Sequence, residues 1–185
     1  MTDTEQSHTE HPTEDVSTED AHAAWAEAAR EMLIAIARRY HHVITAKELA
    51  AGVQERTGIT ATQRAHYWIG SVLALVAEEC AARGEPNLSS LCVNAEGSVG
   101  RTYAATVTGG EPDDPDTHAA AERLACHVHF EAPGLPSGGG VAVLTGQLSA
   151  SRSRVRKAAR ESRPVESCPR CFMVLPSQGP CLTCE

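Results

Sequence analysis

Residues 45–84 read TAKELAAGVQERTGITATQRAHYWIGSVLALVAEECAARG, and this stretch predicts two helices joined by a short turn. Thr45 and Glu48 have the spacing of a capping box, in which each side chain accepts a hydrogen bond from the other residue's backbone at a helix N-terminus. Gly58 can adopt the left-handed conformation that ends a helix. A short connection of this kind is typical of a helix-turn-helix.

The second of these helices is expected to have Thr60 or Thr62 as its N-cap and to end at Gly84. Gly70 inside the helix costs roughly 1 kcal/mol relative to Ala, which suggests that another helix approaches closely there. Apolar residues recur with the helical period and predict the buried face: Ile69, Val72, Leu73, Val76 and Cys80.

The flanking segments complete a predicted winged helix-turn-helix. Upstream, residues 21–40 have an amphipathic helical pattern, with Asp20 as the expected N-cap. Downstream, we predict a strand over Leu88–Asn94 and a returning strand over Tyr103–Val107. Three helices followed by a two-stranded ribbon is the order of a winged helix, so the predicted fold class is mainly α with a small β-ribbon.

Four cysteines near the C-terminus form two Cys-x-x-Cys pairs. Nine residues separate the pairs, and this arrangement predicts a tetrahedral four-thiolate site in a tight hairpin. Zn²⁺ suits four thiolates because it has no redox activity and no geometric preference of its own. We therefore predict a C-terminal zinc ribbon with a structural Zn²⁺ cofactor, held by Cys168, Cys171, Cys181 and Cys184.

The remaining segments predict a domain order. A fourth helix is expected over Asp116–Phe130, with an inward face of Ala121, Leu124, Ala125 and Val128. A basic helix is expected from Thr145 to about Glu161. The predicted domains are a disordered acidic tail, a winged-helix-like body, a flexible linker with the basic helix, and the zinc ribbon: residues 1–20, 21–131, 132–164 and 165–185.

Charge is distributed unevenly along the chain. The net charge of −8 argues against indiscriminate binding of polyanions, but residues 151–164 hold six bases against one acid, Glu161. No apolar run approaches the roughly 18 residues that a membrane-spanning helix needs, and the polar N-terminus has no pattern of a secretory signal. We therefore expect a cytoplasmic protein with no membrane partner, in which paired cysteines favour metal over disulfides.

The predicted nucleic-acid contacts lie on two helices, although solvated helix faces would explain the same patterns. Polar residues at the start of the third helix are of the types that reach base edges and phosphates: Thr62, Gln63, Arg64 and His66. The basic helix carries cations that would neutralise phosphates: Arg152, Arg154, Arg156, Lys157 and Arg160. The expected function is a non-enzymatic, nucleic-acid-binding or regulatory protein, with DNA as the expected partner and a structural zinc site.

Residues 43–103 contain five short motifs that are similar to a known family pattern. They are Val43–Ala50 (VITAKELA), Gln63–Ala65, Glu85–Pro86, Asn94–Gly97 and Gly100–Tyr103. They resemble the DNA-binding half of alkylguanine alkyltransferases and alkyltransferase-like proteins. The resemblance implies that Arg64 intrudes into the duplex. The family's Pro-Cys-His-Arg active-site motif is absent, so the resemblance implies a non-catalytic nucleic-acid reader. The Ala-, Arg- and Glu-rich composition also resembles that of actinobacterial proteins.

Two other functions fit parts of the sequence. A protein-interaction adaptor would use the winged helix and the zinc ribbon as binding surfaces. The zinc ribbon would bind the protein partner and would present Phe172 and Leu175 to it. A small metal-dependent enzyme would use His118, Glu122 and His129, which share one helical face. The absence of a Glu-x-x-His or His-Glu-x-x-His motif from this helix favours a solvated flank beside the Ala/Leu stripe instead. The other thiols are expected to be small buried hydrophobic groups: Cys80, Cys92 and Cys126.

Overall fold

The computed structural model describes residues 17–107, 110–162, 167–173, 181, 183 and 184. Its elements are α1 (Thr18–Ala37), β1 (Ile44–Thr45), α2 (Ala46–Thr57), α3 (Ile69–Arg83), β2 (Cys92–Val93), α4 (Gly100–Ala104), α5 (Pro115–His129) and α6 (Gly146–Glu161). Single 3-10 turns lie over Ala65–Tyr67 and Leu88–Leu91. The chain divides into two compact units, Met1–Thr145 and Gly146–Glu185.

Helix α1 lies at the centre of the first unit. It packs against α2, α3 and the Leu88–Leu91 turn, and Ala29, Leu33 and Ala37 on its inner face are completely buried. Small side chains on that face let the neighbouring helices approach closely, which suits a core with few aromatic rings. The helix ends at Ala37, earlier than predicted, and the Ser17 side chain rather than Asp20 caps its start.

The predicted capping box is confirmed at the start of α2. Thr45 Oγ1 accepts from the Glu48 backbone at 3.2 Å, and the Glu48 carboxylate accepts from the Thr45 backbone at 2.9 Å. The Thr45 hydroxyl also donates to the Glu48 carboxylate at 2.7 Å, and this bond together with the one from the Thr45 backbone lowers the pKa of Glu48. Gly58, at φ +71°, ends the helix in the left-handed conformation, as expected.

Two tryptophans hold the connection between α2 and α3. The rings of Trp25 and Trp68 are both buried, with centroids 4.3 Å apart. The Trp25 indole N–H donates to the Ile59 carbonyl at 3.1 Å, and the Trp68 indole N–H donates to the Gln63 carbonyl at 3.4 Å. The segment between these carbonyls therefore wraps around the indoles as a loop.

Helix α3 begins only after this loop, at Ile69, so the predicted N-cap at Thr60 or Thr62 is wrong. The backbone N–H of Ala61 donates to the side chain of Gln54 at 2.7 Å instead of entering a helix. The predicted end at Gly84 is confirmed, and that glycine has φ +67°. All five residues of the predicted apolar stripe of this helix are buried.

The predicted antiparallel ribbon is not formed within residues 17–107. Leu88–Leu91 is a completely buried 3-10 turn rather than a strand. Only Cys92–Val93 is extended, and it pairs in parallel with Ile44–Thr45. Tyr103 was predicted to begin the returning strand. It lies instead in helix α4, and its ring is buried. A short apolar run cannot distinguish a strand from a buried turn, so the chain is mainly helical with a two-stranded parallel sheet.

The close approach predicted at Gly70 is confirmed. A Cβ atom added to Gly70 would lie 3.0 Å from Cγ2 of Thr102, so helix α4 packs directly on the backbone of α3. The site favours glycine, because a Cβ atom there would require the Thr102 side chain to move by a few tenths of an ångström.

Helix α5 buries a different face from the one predicted. Ala121 and Val128 are exposed, and Leu124 and Ala125 are only half-buried, so the predicted inward face is wrong. Polar contacts determine the rotation of the helix. The Nδ1–H of buried His127 donates to the Ala37 carbonyl at 2.7 Å, and burial lowers the His127 pKa, which keeps the ring neutral. The observed buried residues are Ala119, Ala120, Arg123, Cys126 and His127.

Replacing Thr45 with Ala should lower the free energy of unfolding of the first unit by about 1 kcal/mol, because it removes one half of the capping box. The folded-state pKa of Glu48 is lowered, so the stabilisation is complete above the ordinary glutamate pKa and is lost as the pH falls through the lowered one. Urea titrations followed by Trp25 and Trp68 fluorescence at two pH values would measure both effects. Thr60→Ala, at an exposed loop position, is the control and should be near neutral at either pH.

Candidate metal centre and basic helix

The four C-terminal cysteines converge on one point. Their sulfur atoms all lie within 4.8 Å of one another. The sulfurs of Cys168 and Cys184 are 3.9 Å apart, and those of Cys171 and Cys181 are 3.5 Å apart. Each close contact therefore joins one cysteine of the first pair to one of the second, as a four-thiolate site requires.

The spacing of the sulfurs fits zinc. A tetrahedral ion with Zn–S bonds of about 2.3 Å has S···S edges of about 3.8 Å, and the two closest contacts lie on either side of that value. Sulfur ligands without carboxylate or histidine partners select zinc or an iron–sulfur centre over hard cations such as Mg²⁺. The group would hold a structural Zn²⁺ with no open coordination position.

The first Cys-x-x-Cys turn is built to stabilise a thiolate. The Phe172 backbone N–H donates to the Cys168 carbonyl at 2.8 Å, and the Cys168 N–H donates to the Met173 carbonyl at 2.8 Å. Inside this turn, the backbone N–H groups of Cys171 and Arg170 donate to the Cys168 sulfur and lower the pKa of its thiol to about 7. Backbone N–H groups of the turn therefore support a thiolate at Cys168.

The thiols of Cys171 and Cys184 hold their protons more firmly. Hydrogen bonding with Cys171 raises the pKa of the Cys184 thiol to about 12, and the pKa of Cys171 is also raised. Four neighbouring sulfurs cannot all become anionic without a cation between them. Binding of a divalent metal would supply that charge and release protons.

Phe172 directly follows the first cysteine pair in an unusual conformation. Its φ is +57°, in the left-handed region that favours glycine, and its side chain is 80 % exposed. The neighbouring Met173 is 56 % exposed. Leu175, which an adaptor would present together with Phe172, lies outside the described residues.

Helix α6 belongs to the same compact unit as the cysteines. It begins at Gly146 and ends at Glu161, close to the predicted bounds, and none of its residues is buried. Its apolar Val155 is 66 % exposed, so no buried apolar face holds the helix in place. Its internal contacts include Lys157 with Glu161 at 3.9 Å and Arg156 with Ser153 at 3.4 Å. Four of its predicted phosphate-binding cations, Arg154, Arg156, Lys157 and Arg160, are exposed, and Arg152 is half-buried.

The predicted contacts of the third helix lie in the loop before α3 and in its 3-10 turn. The side chains of Thr62, Gln63, Arg64 and His66 are all exposed, and the His66 ring lies 4.0 Å from that of the equally exposed Tyr67. The structure keeps these residues on the surface but does not place them at the N-terminus of an α-helix. The buried Trp68 that ends the loop is the sequence signal that would have revealed this.

The second predicted metal site is not assembled. His118 Nδ1 lies 3.0 Å from the Tyr103 hydroxyl, and Glu122 accepts from the Asn87 backbone at 2.9 Å. His129 is exposed and lies against the Phe130 ring. Among the described residues, the histidine, cysteine and acidic side chains that come close enough together to hold a metal ion are the four cysteines. His118 and Glu122 therefore have structural partners in the helical body.

The three thiols outside this set are buried, as predicted. Burial raises the pKa of Cys92 and Cys126 to about 12 and also raises that of Cys80. Thiols that keep their protons at neutral pH are poor nucleophiles. They act as small hydrophobic groups in the core of the first unit.

Comparison of the chain with protein-family models, curated proteins and solved structures gives no match. The resemblance of residues 43–103 to the alkyltransferase DNA-binding half therefore remains a prediction. Within the part of the chain that the structure describes, no helix is long and apolar enough to cross a membrane.

The full-length protein should hold about one zinc ion per chain, because four sulfurs complete a tetrahedral shell. Replacing Cys168 and Cys181 together with Ser removes one ligand from each pair and should abolish tight zinc binding. Metal analysis after gel filtration would measure the stoichiometry. Cys80→Ala is the matched control and should retain the metal; a zinc-free wild type or a zinc-bound double variant would contradict the assignment.

Replacing Phe172 with Gly should make the second unit hold its metal more firmly. Glycine adopts a positive φ without strain, whereas the left-handed conformation costs other residues about 1–2 kcal/mol. The expected result is slower transfer of zinc to a colorimetric chelator. Met173→Gly, at a position without a positive φ, should show no such gain, and equal rates for wild type and Phe172→Gly would show that the conformation stores no strain.

Proposed function

We propose that this chain is a zinc-stabilised, non-enzymatic nucleic-acid-binding protein and that its second unit makes the main contact. The observation that carries the proposal is the pairing, within Gly146–Glu185, of a four-cysteine cluster with a basic helix that has no buried residue. Metal binding by the four cysteines would stabilise the fold of this unit. The helix supplies cations that do not serve to cover an apolar core.

Charge separates the two units sharply. Residues 146–185 contain seven basic and three acidic residues, a net charge of +4. Residues 1–145 contain nine basic and twenty-one acidic residues, a net charge of −12. A polyanion is therefore repelled by most of the chain and attracted to one unit, which supports a focused contact over general adhesion.

The cations of α6 are arranged in a row. Arg152, Arg156 and Arg160 recur at every fourth position, so they share one face of the helix. Each step along the row rises about 6 Å along the helix axis. Lys157 lies about 100° around the helix from the middle of this row, and Arg154 lies on nearly the opposite face. Such a row can follow successive phosphates along a nucleic-acid backbone, and arginine binds phosphate through two parallel hydrogen bonds.

The loop before α3 offers a second contact on the first unit. Gln63, Arg64 and His66 are exposed there, and they are of the types that contact bases and phosphates. Binding by this loop would agree with the alkyltransferase resemblance, which implies that Arg64 enters the duplex. The acidic surroundings make it the weaker of the two surfaces.

A protein-interaction adaptor is the second candidate function. The exposed Phe172 and Met173 favour it, because aromatic and methionine side chains are enriched at protein interfaces. An adaptor would show no nucleic-acid binding at low salt and would retain a protein partner after nuclease digestion.

Replacing Arg152, Arg156 and Arg160 together with Gln should weaken duplex DNA binding and reduce the slope of log affinity against log salt by roughly 2–3, because each lost phosphate contact lowers the slope by about 0.9. Fluorescence anisotropy at several salt concentrations would measure this. The control is a variant that loses the same number of positive charges on the first unit, in which Gln replaces Arg38, Arg83 and Arg101.

The control triple should leave the salt slope unchanged. Equal losses in both triple variants would indicate non-specific attraction, and no detectable binding by the wild type at low salt would refute the proposed function. Arg64→Ala tests the loop separately and should weaken binding to a smaller extent, with α6 intact.

A further inference from the structure

We propose that Phe172 is a stacking platform for an unpaired nucleobase, so that the second unit prefers single-stranded nucleic acid to a duplex. This inference rests on the proposed function and specifies its ligand. The phosphate row of α6 cannot distinguish single strands from duplexes. The turn that carries Phe172 adds a feature that can.

The exposure of Phe172 is the first reason. The side chain is 80 % exposed, the highest value among the large apolar side chains that the structure describes. It therefore contributes little to the stability of its own unit. Burying a large aromatic ring is strongly favourable, so a ring exposed to water can contribute binding free energy when a ligand covers it.

The backbone conformation is the second reason. Phe172 occupies a left-handed conformation in which glycine would cost less. Strained conformations of this kind persist where the surrounding structure enforces them, and they concentrate at functional sites. Here the turn enforces it through the hydrogen bonds between Cys168 and the backbone of Phe172 and Met173, each 2.8 Å long. The backbone that carries the ring is thus held by hydrogen bonds before a ligand arrives.

The charge around the ring is the third reason. Arg170 is exposed in the same turn, two positions before Phe172. The Lys, Arg, Asp and Glu side chains of the unit sum to +4, so the unit would stay positive after four thiolates and one Zn²⁺ contribute a charge of about −2. An aromatic face beside cations matches a base beside its phosphate. Proteins that bind single strands combine these two elements, a positive surface for the backbone and aromatic rings for the bases.

A duplex cannot use this platform without cost. Its bases are already stacked on one another, and inserting a ring between them requires unstacking. The bases of a single strand are free to stack on an aromatic side chain, whatever their identity. We therefore expect the ring to increase affinity for unpaired bases and to contribute little to duplex binding.

The test uses the full-length, zinc-loaded protein and three labelled probes of equal length: an oligothymidylate, the same backbone without bases, and a DNA duplex. Phe172→Ala should weaken oligothymidylate binding roughly 5- to 150-fold, the loss expected for one stacked base. Binding of the abasic probe and of the duplex should stay within error of the wild type. Zinc content is measured for each variant.

Two matched variants separate stacking from other roles. Phe172→Tyr keeps an aromatic face and should bind as the wild type does. Phe172→Leu keeps an apolar side chain without a π-face and should bind as Phe172→Ala does. Phe172→Gly should lose oligothymidylate binding although its metal site becomes firmer, a combination that a purely structural role for the ring would not produce.

Several results would overturn the inference while leaving the proposed function intact: unchanged oligothymidylate binding by Phe172→Ala, equal binding by Phe172→Leu and wild type, or an equal loss for the abasic probe. Capture of a protein through Phe172 with unchanged binding of all three probes would assign the ring to an adaptor surface. Failure of the wild type to bind any probe would instead refute the proposed function itself.

Discussion

The contact between Trp25 and Trp68 organises the first unit more than any other interaction. The chain has few aromatic residues, and most of its core is alanine, leucine, valine and isoleucine. Small side chains allow helices to slide past one another, whereas two buried indoles fit in one arrangement. Their hydrogen bonds to Ile59 and Gln63 fix the loop between α2 and α3. The position of α3, and with it the exposed Arg64 loop, follows from that contact.

The second unit depends on a different constraint. Helix α6 buries no residue, and among the described residues of this unit only Cys168 is buried. Hydrophobic burial therefore contributes little, and coordination of a metal by four thiolates would supply much of the free energy that orders the cysteine turns. The lowered pKa of Cys168 and the raised pKa of Cys184 describe a site that is prepared for the first thiolate and needs a cation for the others.

Sequence patterns predicted the features that depend on near neighbours. The capping box at Thr45, the left-handed Gly58 and the four-cysteine cluster all follow from spacings of a few residues. Features that depend on distant contacts were not predictable in this way. The parallel pairing of Ile44 with Cys92 and the hydrogen bond from His127 to Ala37 join segments far apart in the chain. Both override local preference, and for that reason the predicted ribbon and the predicted face of α5 were wrong.

The opposite charges of the two units bear on how a ligand would be bound. A row of three arginines offers only a few phosphate contacts, and salt screens exposed charges beyond roughly 8 Å at physiological ionic strength. The acidic first unit further reduces attraction at longer range. Electrostatics alone would thus give weak binding that is sensitive to salt. Stacking on an aromatic ring is insensitive to salt and acts only at contact. An exposed Phe172 in a basic unit is therefore suited to add the affinity that so few cations cannot provide.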